Sequence, residues 1–322
     1  MKKPFNRRDF LKVSTFGLGA GALLRFAPLA GTARAAGILD RLHKSNGEAP
    51  GAFSIVQLSD THVGFNGPPD PLGTKAFERA VDMVNALDPL PELILFTGDL
   101  THDSEDQAEH AKRMRTFRDI SSRLRVKTRY HVPGEHDAAL DGGVLYRQNF
   151  GESHYSFDHR GVHFVALDNV SRARPEVGAE QIAWLKKDLS RYPHTAPIVV
   201  FTHRPLFDLK PEWEWFTRDG DDVMNVLAPY DAVTVLYGHI HTEHHDTIGH
   251  AQHYAARSLI FAFPDPTAAE KKPLPFDNTR PFHNLGIRTV SGPSPVAVND
   301  VELTMRELSG TEGVMQMLKG EN

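Results

Sequence analysis

The chain has 322 residues, no cysteine and a formal net charge of −5 at pH 7. Without cysteine there is no disulfide framework and no thiolate ligand, so any metal must be held by His, carboxylate, amide or water. An acidic balance with no basic stripe argues against nucleic acid or an anionic membrane as partner.

The first 35 residues read as a signal peptide and are set aside from the fold. A basic start leads into the apolar run Val13–Leu24 and then into Ala33-Arg34-Ala35, a small-x-small cleavage pattern. The run is too short for a membrane-spanning helix, which needs roughly 20 residues, so no stable membrane anchor is expected. Asn6-Arg7-Arg8-Asp9-Phe10-Leu11-Lys12 resembles the twin-arginine export signal. The resemblance implies contact with the twin-arginine machinery, export in the folded state, and a periplasmic or secreted protein. Cleavage after Ala35 would leave residues 36–322 as a single domain. Removing the signal's seven Lys and Arg and one Asp leaves 29 basic and 40 acidic residues, a net charge near −11.

In chain order, Phe53–Leu58 is a β-rich run that stops at Ser-Asp-Thr-His. Lys75–Leu87 carries Phe77, Ala80, Val81, Val84 and Leu87 at helical spacing. Leu93–Phe96 is a buried-strand run ending in Thr-Gly-Asp, and Gln107–Leu124 reads as a helix before the strand Thr128–Val132. Tyr155–Phe157 and Val162–Leu167, separated by Asp-His-Arg-Gly, form an expected hairpin. Ala179–Leu189 is a helix, Ile198–Phe201 a strand ending in Thr-His, and Ala232–Leu236 a strand ending in Tyr-Gly-His-Ile-His. Alternation from His244 through Tyr254, and again over Ser258–Phe263, predicts antiparallel strands. Five prolines make 264–284 mostly loop, and Leu285–Val290 with Val296–Met305 read as closing strands. Alternating βα units that finish in antiparallel strands predict an α/β sandwich with mixed sheets.

Five of these strands end in metal-ligand residue types: Asp60 and His62, Asp99, Glu135 and His136, His203, and His239 with His241. In α/β sheets ligands bind beyond the carboxyl ends of the strands, so the five ends can share one site. A lone His or Asp at a strand end is usually structural, but five in succession favour a shared site.

The ordered set Asp60-x-His62, Gly98-Asp99, Gly134-Glu135-His136-Asp137, His203 and Gly238-His239-x-His241 resembles the calcineurin-like metallophosphoesterases, over a span of 182 residues. The resemblance implies a four-layer α/β/β/α sandwich and two divalent metal ions, Mn, Fe or Zn. Carried over position by position, it implies that Asp60, His62 and His241 hold the first metal and that Asp99 bridges both. His203, His239 and residue 135 would hold the second. It further implies a small phosphate ester as substrate, attacked by a metal-bridging hydroxide, with His136 protonating the leaving oxygen and Asp137 orienting that imidazole.

One position departs from the family. Its third motif is Gly-Asn-His-Asp or Glu, and here Glu135 replaces the Asn. A carboxylate binds a divalent ion strongly but donates no hydrogen bond and adds charge where phosphate must sit. Two unit charges about 4 Å apart interact by roughly 4 kcal/mol at an effective dielectric near 20. A phosphodiester, with one charge, is repelled less than a monoester with two. The expectation is therefore a phosphodiesterase; the alternative is an exported dimetal protein with redox or metal-binding function. His244, His245, His250 and His253 are expected on strands at the cleft rim, and His102 with Asp103 close to the ligands or the substrate. Trp213, Trp215 and Phe216 form either an apolar wall near His203 or a packed surface helix, and Lys271-Lys272 a solvated turn.

Overall fold

A computed structural model describes residues 53–291 and 297–302. The expected signal at 1–35, the start of the mature chain and the ends of the last expected strand lie outside these residues. Three parallel strands, β1 (Ser54–Leu58), β2 (Leu93–Thr97) and β3 (Arg129–Val132), are joined by the helices α1 (Lys75–Ala86) and α2 (Gln107–Ser122). Two short helices follow, α3 (Glu135–Ala138) and α4 (Val144–Phe150). The chain then builds a second sheet from β4 (Tyr155–His159), β5 (Val162–Ala166), β6 (Pro197–Phe201), β7 (Ala232–Tyr237), β8 (His244–Ile248) and β9 (Ala251–Ala255). Helices α5 (Ala179–Leu189) and α6 (Gly220–Leu227) connect its parallel members. Finally β10 (Gly286–Ser291) and β11 (Ala297–Glu302) return to the first sheet, antiparallel to β1 and to each other.

The first sheet has the order β11-β10-β1-β2-β3 and the second β4-β5-β6-β7-β9-β8. Both are mixed. Strand residues alternate between two cores, as period-two side chains must. Ile55, Leu93, Leu95 and Val132 face Phe164, Val199, Phe201 and Leu236 across the gap between the sheets. Their neighbours Val56, Leu58, Ile94 and Phe96 pack instead under α1 and α2, against Phe77, Ala80, Val84, Met114 and Phe117. Val165, Ile198, Val200 and Val235 likewise pack against Leu185 and Leu189 of α5 and Val223 and Leu227 of α6. The three cores define four layers, α/β/β/α. Because the central strands are covered on both faces they read as continuous apolar runs, each large side chain contributing about 1.5–3 kcal/mol on burial.

Three local expectations change. The β4–β5 turn is only Arg160-Gly161, both at positive φ (50° and 76°), because pairing continues through Asp158 and His159; this is the backbone of a type I′ turn. Strand β9 pairs antiparallel with β8 but parallel with β7. The run Ser258–Phe263 is not a strand; it leaves the sheet, and Leu259 N–H donates to the Asp60 carbonyl at 3.2 Å. Helices α3, α4 and α6 go unseen in the sequence because they span only four, seven and eight residues, too few for an apolar spacing to repeat. Among the described residues, no helix is long and apolar enough to cross a membrane.

Candidate metal centre

The chain turns sharply at the carboxyl ends of β1, β2, β3, β6 and β7. Beyond β1 and β2 the two loops extend the parallel ladder: Asp60, His62 and Val63 N–H groups donate to Gly98, Asp99 and Leu100 carbonyls at 3.0, 2.9 and 3.1 Å. Asp60, His62, Asp99, His239 and His241 all take positive φ, between 38° and 67°. Such conformations cost L-residues on the order of 1–3 kcal/mol each and persist where surrounding structure enforces them; Asp and His tolerate them better than most. Two glycines allow the loops to close. A Cβ at Gly134 would collide with the Asp99 carboxylate and backbone, and one at Gly238 with the Ser59 hydroxyl and the Asp60 carboxylate.

These turns bring the seven candidate ligands into two clusters. In the first, His62 Nε2 lies 3.1 Å from His241 Nε2, His241 Nε2 is 3.3 Å from Asp60 Oδ1, and all four residues, including Asp99, are buried. In the second, Glu135 Oε1 is 2.6 Å from His239 Nδ1 and Oε2 is 3.0 Å from His203 Nε2. Asp99 Oδ2 stands 3.4 Å from both His62 Nε2 and His203 Nε2, between the clusters.

The donor set fits divalent cations. His203 Nδ1–H donates to the Thr97 carbonyl at 2.7 Å and His241 Nδ1–H to the Phe261 carbonyl at 2.9 Å. Both rings therefore turn an Nε2 lone pair into the site, the orientation that metal-ligating imidazoles take from such carbonyl partners. His239 Nε2 faces the Glu214 carbonyl at 3.3 Å, which frees its Nδ1. His203 Nε2 and Glu135 Oε2 are buried and face each other, 3.0 Å apart, without hydrogen-bond geometry. Buried polar atoms are seldom left so, and a cation would satisfy both.

Electrostatics agree at Glu135, Asp60 and His62, whereas at His203 burial is outweighed by Asp99 and Glu135, which raise it well above the ordinary imidazole range until a cation takes the proton's place. Burial opposes charge on Glu135, yet His239 and His203 hold its carboxyl well below the ordinary range. Burial also opposes charge on Asp60, which His241 and His203 nevertheless hold lowered. Burial and the neighbouring His136 and His241 push His62 well down, leaving a neutral ring suited to ligation.

Further residues surround the clusters. The Arg204 guanidinium is 3.4 Å from Glu135 Oε1, and it also donates to the Phe216 carbonyl at 3.1 Å and to the Glu214 carbonyl. The charge that Glu135 adds to the site therefore has a cation beside it. Arg204 directly follows His203, and that adjacency is the signal the sequence offered. Asp137 does not touch His136. Its carboxylate accepts from the N–H groups of Leu100 (2.9 Å), Thr101 (2.8 Å) and Gly134 (2.9 Å) and from the Thr101 hydroxyl (2.9 Å). It ties the loop after β2 to the loop after β3 in place of orienting the imidazole. His136 instead pairs through Nδ1 with Asp103.

Phe261 packs its ring on His62 and His241, with centroids 6.2 and 4.7 Å away, and Phe65 stands 5.3 Å from Phe261. This apolar wall was missed because Ser258–Phe263 reads as a strand. Trp213 and Trp215 belong to a buried cluster with Phe207, Tyr237 and Ile240. Trp213 closes a single 3-10 turn, Pro211–Trp213, so no surface helix forms there. Lys271 is not simply solvated: its ammonium donates to the Trp213 carbonyl at 2.8 Å. His253 is buried against Phe207, away from any rim, and burial pushes its pKa down to about 3.

The profile of the calcineurin-like phosphoesterase family matches residues 53–243. The chain belongs to that family. It is similar to a 3′,5′-cyclic-nucleotide phosphodiesterase of Nostoc, with 24% identity over 199 residues, covering 59% of this chain and 72% of the relative. A protein of Arcobacter nitrofigilis designated a probable glycerophosphodiester phosphodiesterase is 25% identical over 205 residues, covering 58% and 71%. The fold also matches the crystal structure of a dimetal phosphatase from Danio rerio, at a TM-score of 0.53 and 15% identity over 78% of this chain and 98% of that one. As a calcineurin-like enzyme the chain is a metal-dependent phosphoesterase, and its two ligand clusters suit the two divalent metals of the family. Imidazole and carboxylate without thiolate accommodate Mn, Fe and Zn alike.

Proposed function

We propose that this phosphoesterase hydrolyses small phosphodiesters. The observation that carries the reading is the Glu135–Arg204 pair at the second cluster, 3.4 Å apart. Glu135 adds a negative charge beside the phosphoryl position, and Arg204 offsets it without reversing it. One substrate charge is accommodated better than two. The two phosphodiesterase relatives support the same preference.

Asp60, His62, Asp99 and His241 would hold one ion; Asp99, Glu135, His203 and His239 would hold the other. Such ions lower the pKa of a water molecule and offset charge on phosphoryl oxygens. The chain's own residues do the rest. Arg204 presents guanidinium N–H donors in place of the amide that Glu135 lacks. Phe65 and Phe261 shield one side of the site from water. His136 donates a proton to the leaving oxygen as its bond to phosphorus breaks.

The test is turnover of bis-p-nitrophenyl phosphate against p-nitrophenyl phosphate by metal-loaded protein. A higher kcat/KM on the diester is expected; a preference for the monoester, or no turnover at full metal occupancy, rejects the reading. We further propose that residues 1–35 direct twin-arginine export of the folded protein to the periplasm or beyond, supported by Arg7-Arg8 and the short apolar run. Replacing Arg7 and Arg8 by Lys should leave the protein in the cytoplasm. Normal export of that variant would exclude the route.

A further inference from the structure

The stretch from Lys112 to Arg129, along α2 and into β3, holds eight Lys and Arg against one acid, Asp119. Most of these charges are committed to the protein itself. Lys112 and Arg113 pair with Glu109, and Arg123 pairs with Glu78. Arg125 donates to the Asn85 carbonyl, Lys127 to the Leu124 carbonyl and Arg129 to the Ser121 carbonyl. Cations at the end of α2 also offset its dipole. Arg115 and Arg118 are different. Their exposed guanidinium groups make no ion pair or hydrogen bond with any described residue. Two such charges are too few to track a nucleic-acid backbone, but they suit a small anion.

Both residues line one cavity of about 610 Å³, to which α2, β3 and α4 contribute and which shares no residue with the two ligand clusters. We propose that this cavity is a second anion site, which takes the terminal phosphate of a small soluble phosphate monoester on Arg115, Arg118 and Arg129.

Three positions apart, Arg115 and Arg118 stand on one face of α2, and Arg129 reaches the same cavity from β3, steadied by the Ser121 carbonyl. Forks arriving from two elements can grip a tetrahedral group with three terminal oxygens on more than one side, whereas a planar carboxylate fills a single fork. Asp119 is the one acid in the lining. Three guanidinium groups and one carboxylate leave the cavity a net charge of +2, which matches the two negative charges of a monoester. His131 lines the cavity too, its ring flat on Phe96 with centroids 5.0 Å apart and planes 7° from parallel. Neither of its ring nitrogens bonds to a described residue. Burial and Arg129 push its pKa down to about 3, so the neutral ring keeps one N–H to donate. Phe150, 5.4 Å from that ring, extends an aromatic floor for the carbon part of the ester.

The experiment is calorimetric titration of the metal-loaded protein with methylphosphonate, a dianion that cannot be hydrolysed as an ester. Arg115→Gln/Arg118→Gln should weaken one bound equivalent by about 10- to 100-fold, the scale for losing donors to a charged group. Its metal content and its kcat/KM on bis-p-nitrophenyl phosphate should not change. Arg123→Gln/Arg125→Gln removes as much charge outside the cavity and should alter binding by no more than about twofold, since exposed charges at a distance are screened. Malonate should bind about tenfold more weakly than the phosphonate, because its carboxylates are planar. Identical binding by the natural protein and the Arg115→Gln/Arg118→Gln variant overturns the site. An equal loss in the Arg123→Gln/Arg125→Gln variant would reduce it to diffuse charge, and malonate binding as tightly as the phosphonate would reject the phosphate class. Vesicles of phosphatidylcholine with phosphatidic acid display the same phosphate group on a surface and should not retain the protein. Retention that depends on Arg115 and Arg118 would assign the site to a lipid and overturn the soluble ligand.

Discussion

Asp60, His62, Asp99 and His241 are almost sealed from solvent, whereas Glu135 in the neighbouring cluster keeps 25% of its side chain exposed. The two clusters use the same ligand chemistry in different settings. The first is tied down by backbone: the His239 N–H donates to Asp60 Oδ1 at 3.1 Å, and His241 is anchored on the Phe261 carbonyl. The second is surrounded by charge, with Arg204 on one side of Glu135 and two imidazoles on the other. On the proposed reading the difference would separate two tasks: the sealed cluster would hold its ion, and Glu135, the one partly exposed ligand of the second, would lie on the substrate side.

The most severe way to break the comparison is to remove the group both clusters share. Asp99→Ala should lose most of both metals and reduce turnover by about a thousandfold or more, the upper scale for losing one preorganised electrostatic group. Elemental analysis and steady-state kinetics on the same preparation check it. Retention of one full equivalent of metal would mean that the clusters are independent.

Arg204→Gln acts on the second cluster alone. It leaves the Glu135 carboxylate without its cation, so kcat/KM on diesters should fall by about 10- to 100-fold, while the first cluster keeps its metal. Loss of a partner to a charged group commonly costs about 1.5–3 kcal/mol, which sets that scale. Adding Glu135→Asn to Arg204→Gln should restore part of the loss, because the charge that needed compensation is gone.

The smallest effect is expected for Glu135→Asn alone. With Arg204 kept, the site loses one negative charge and gains an amide donor. The ratio of monoester to diester turnover should rise about tenfold, or about 1.4 kcal/mol. A fall in both activities at unchanged metal content would assign the carboxylate to the reaction itself.

Much of the fold was legible before any coordinates. Ile55 and Val56, or Leu95 and Phe96, belong to uninterrupted apolar runs because both faces of their sheet are covered. The spacing of Phe77, Ala80, Val81 and Val84 announced α1, whose inner face buries all four. Short helices were not legible, since α3 spans only Glu135–Ala138 and offers no second turn to repeat a pattern. Ser258–Phe263 alternated like a strand but was drawn off the sheet, with the Leu259 amide bonded to the Asp60 carbonyl and the Phe261 carbonyl to His241. Alternation records which residues are buried and not what buries them.

By itself the sequence determined which metal-ligand residue types stand at the strand ends, because a strand followed by Asp-x-His or Gly-His-x-His carries both the types and their place in its local pattern. It also put Glu135 at the position where the resemblance implies an Asn. Only the tertiary structure decided what surrounds those residues. Asp103 and His136 are 33 positions apart, and Glu135 and Arg204 are 69 apart. These pairs form where loops from different strands and from two sheets meet. Their strength depends on distance and burial across that gap, quantities that no local pattern in a chain encodes.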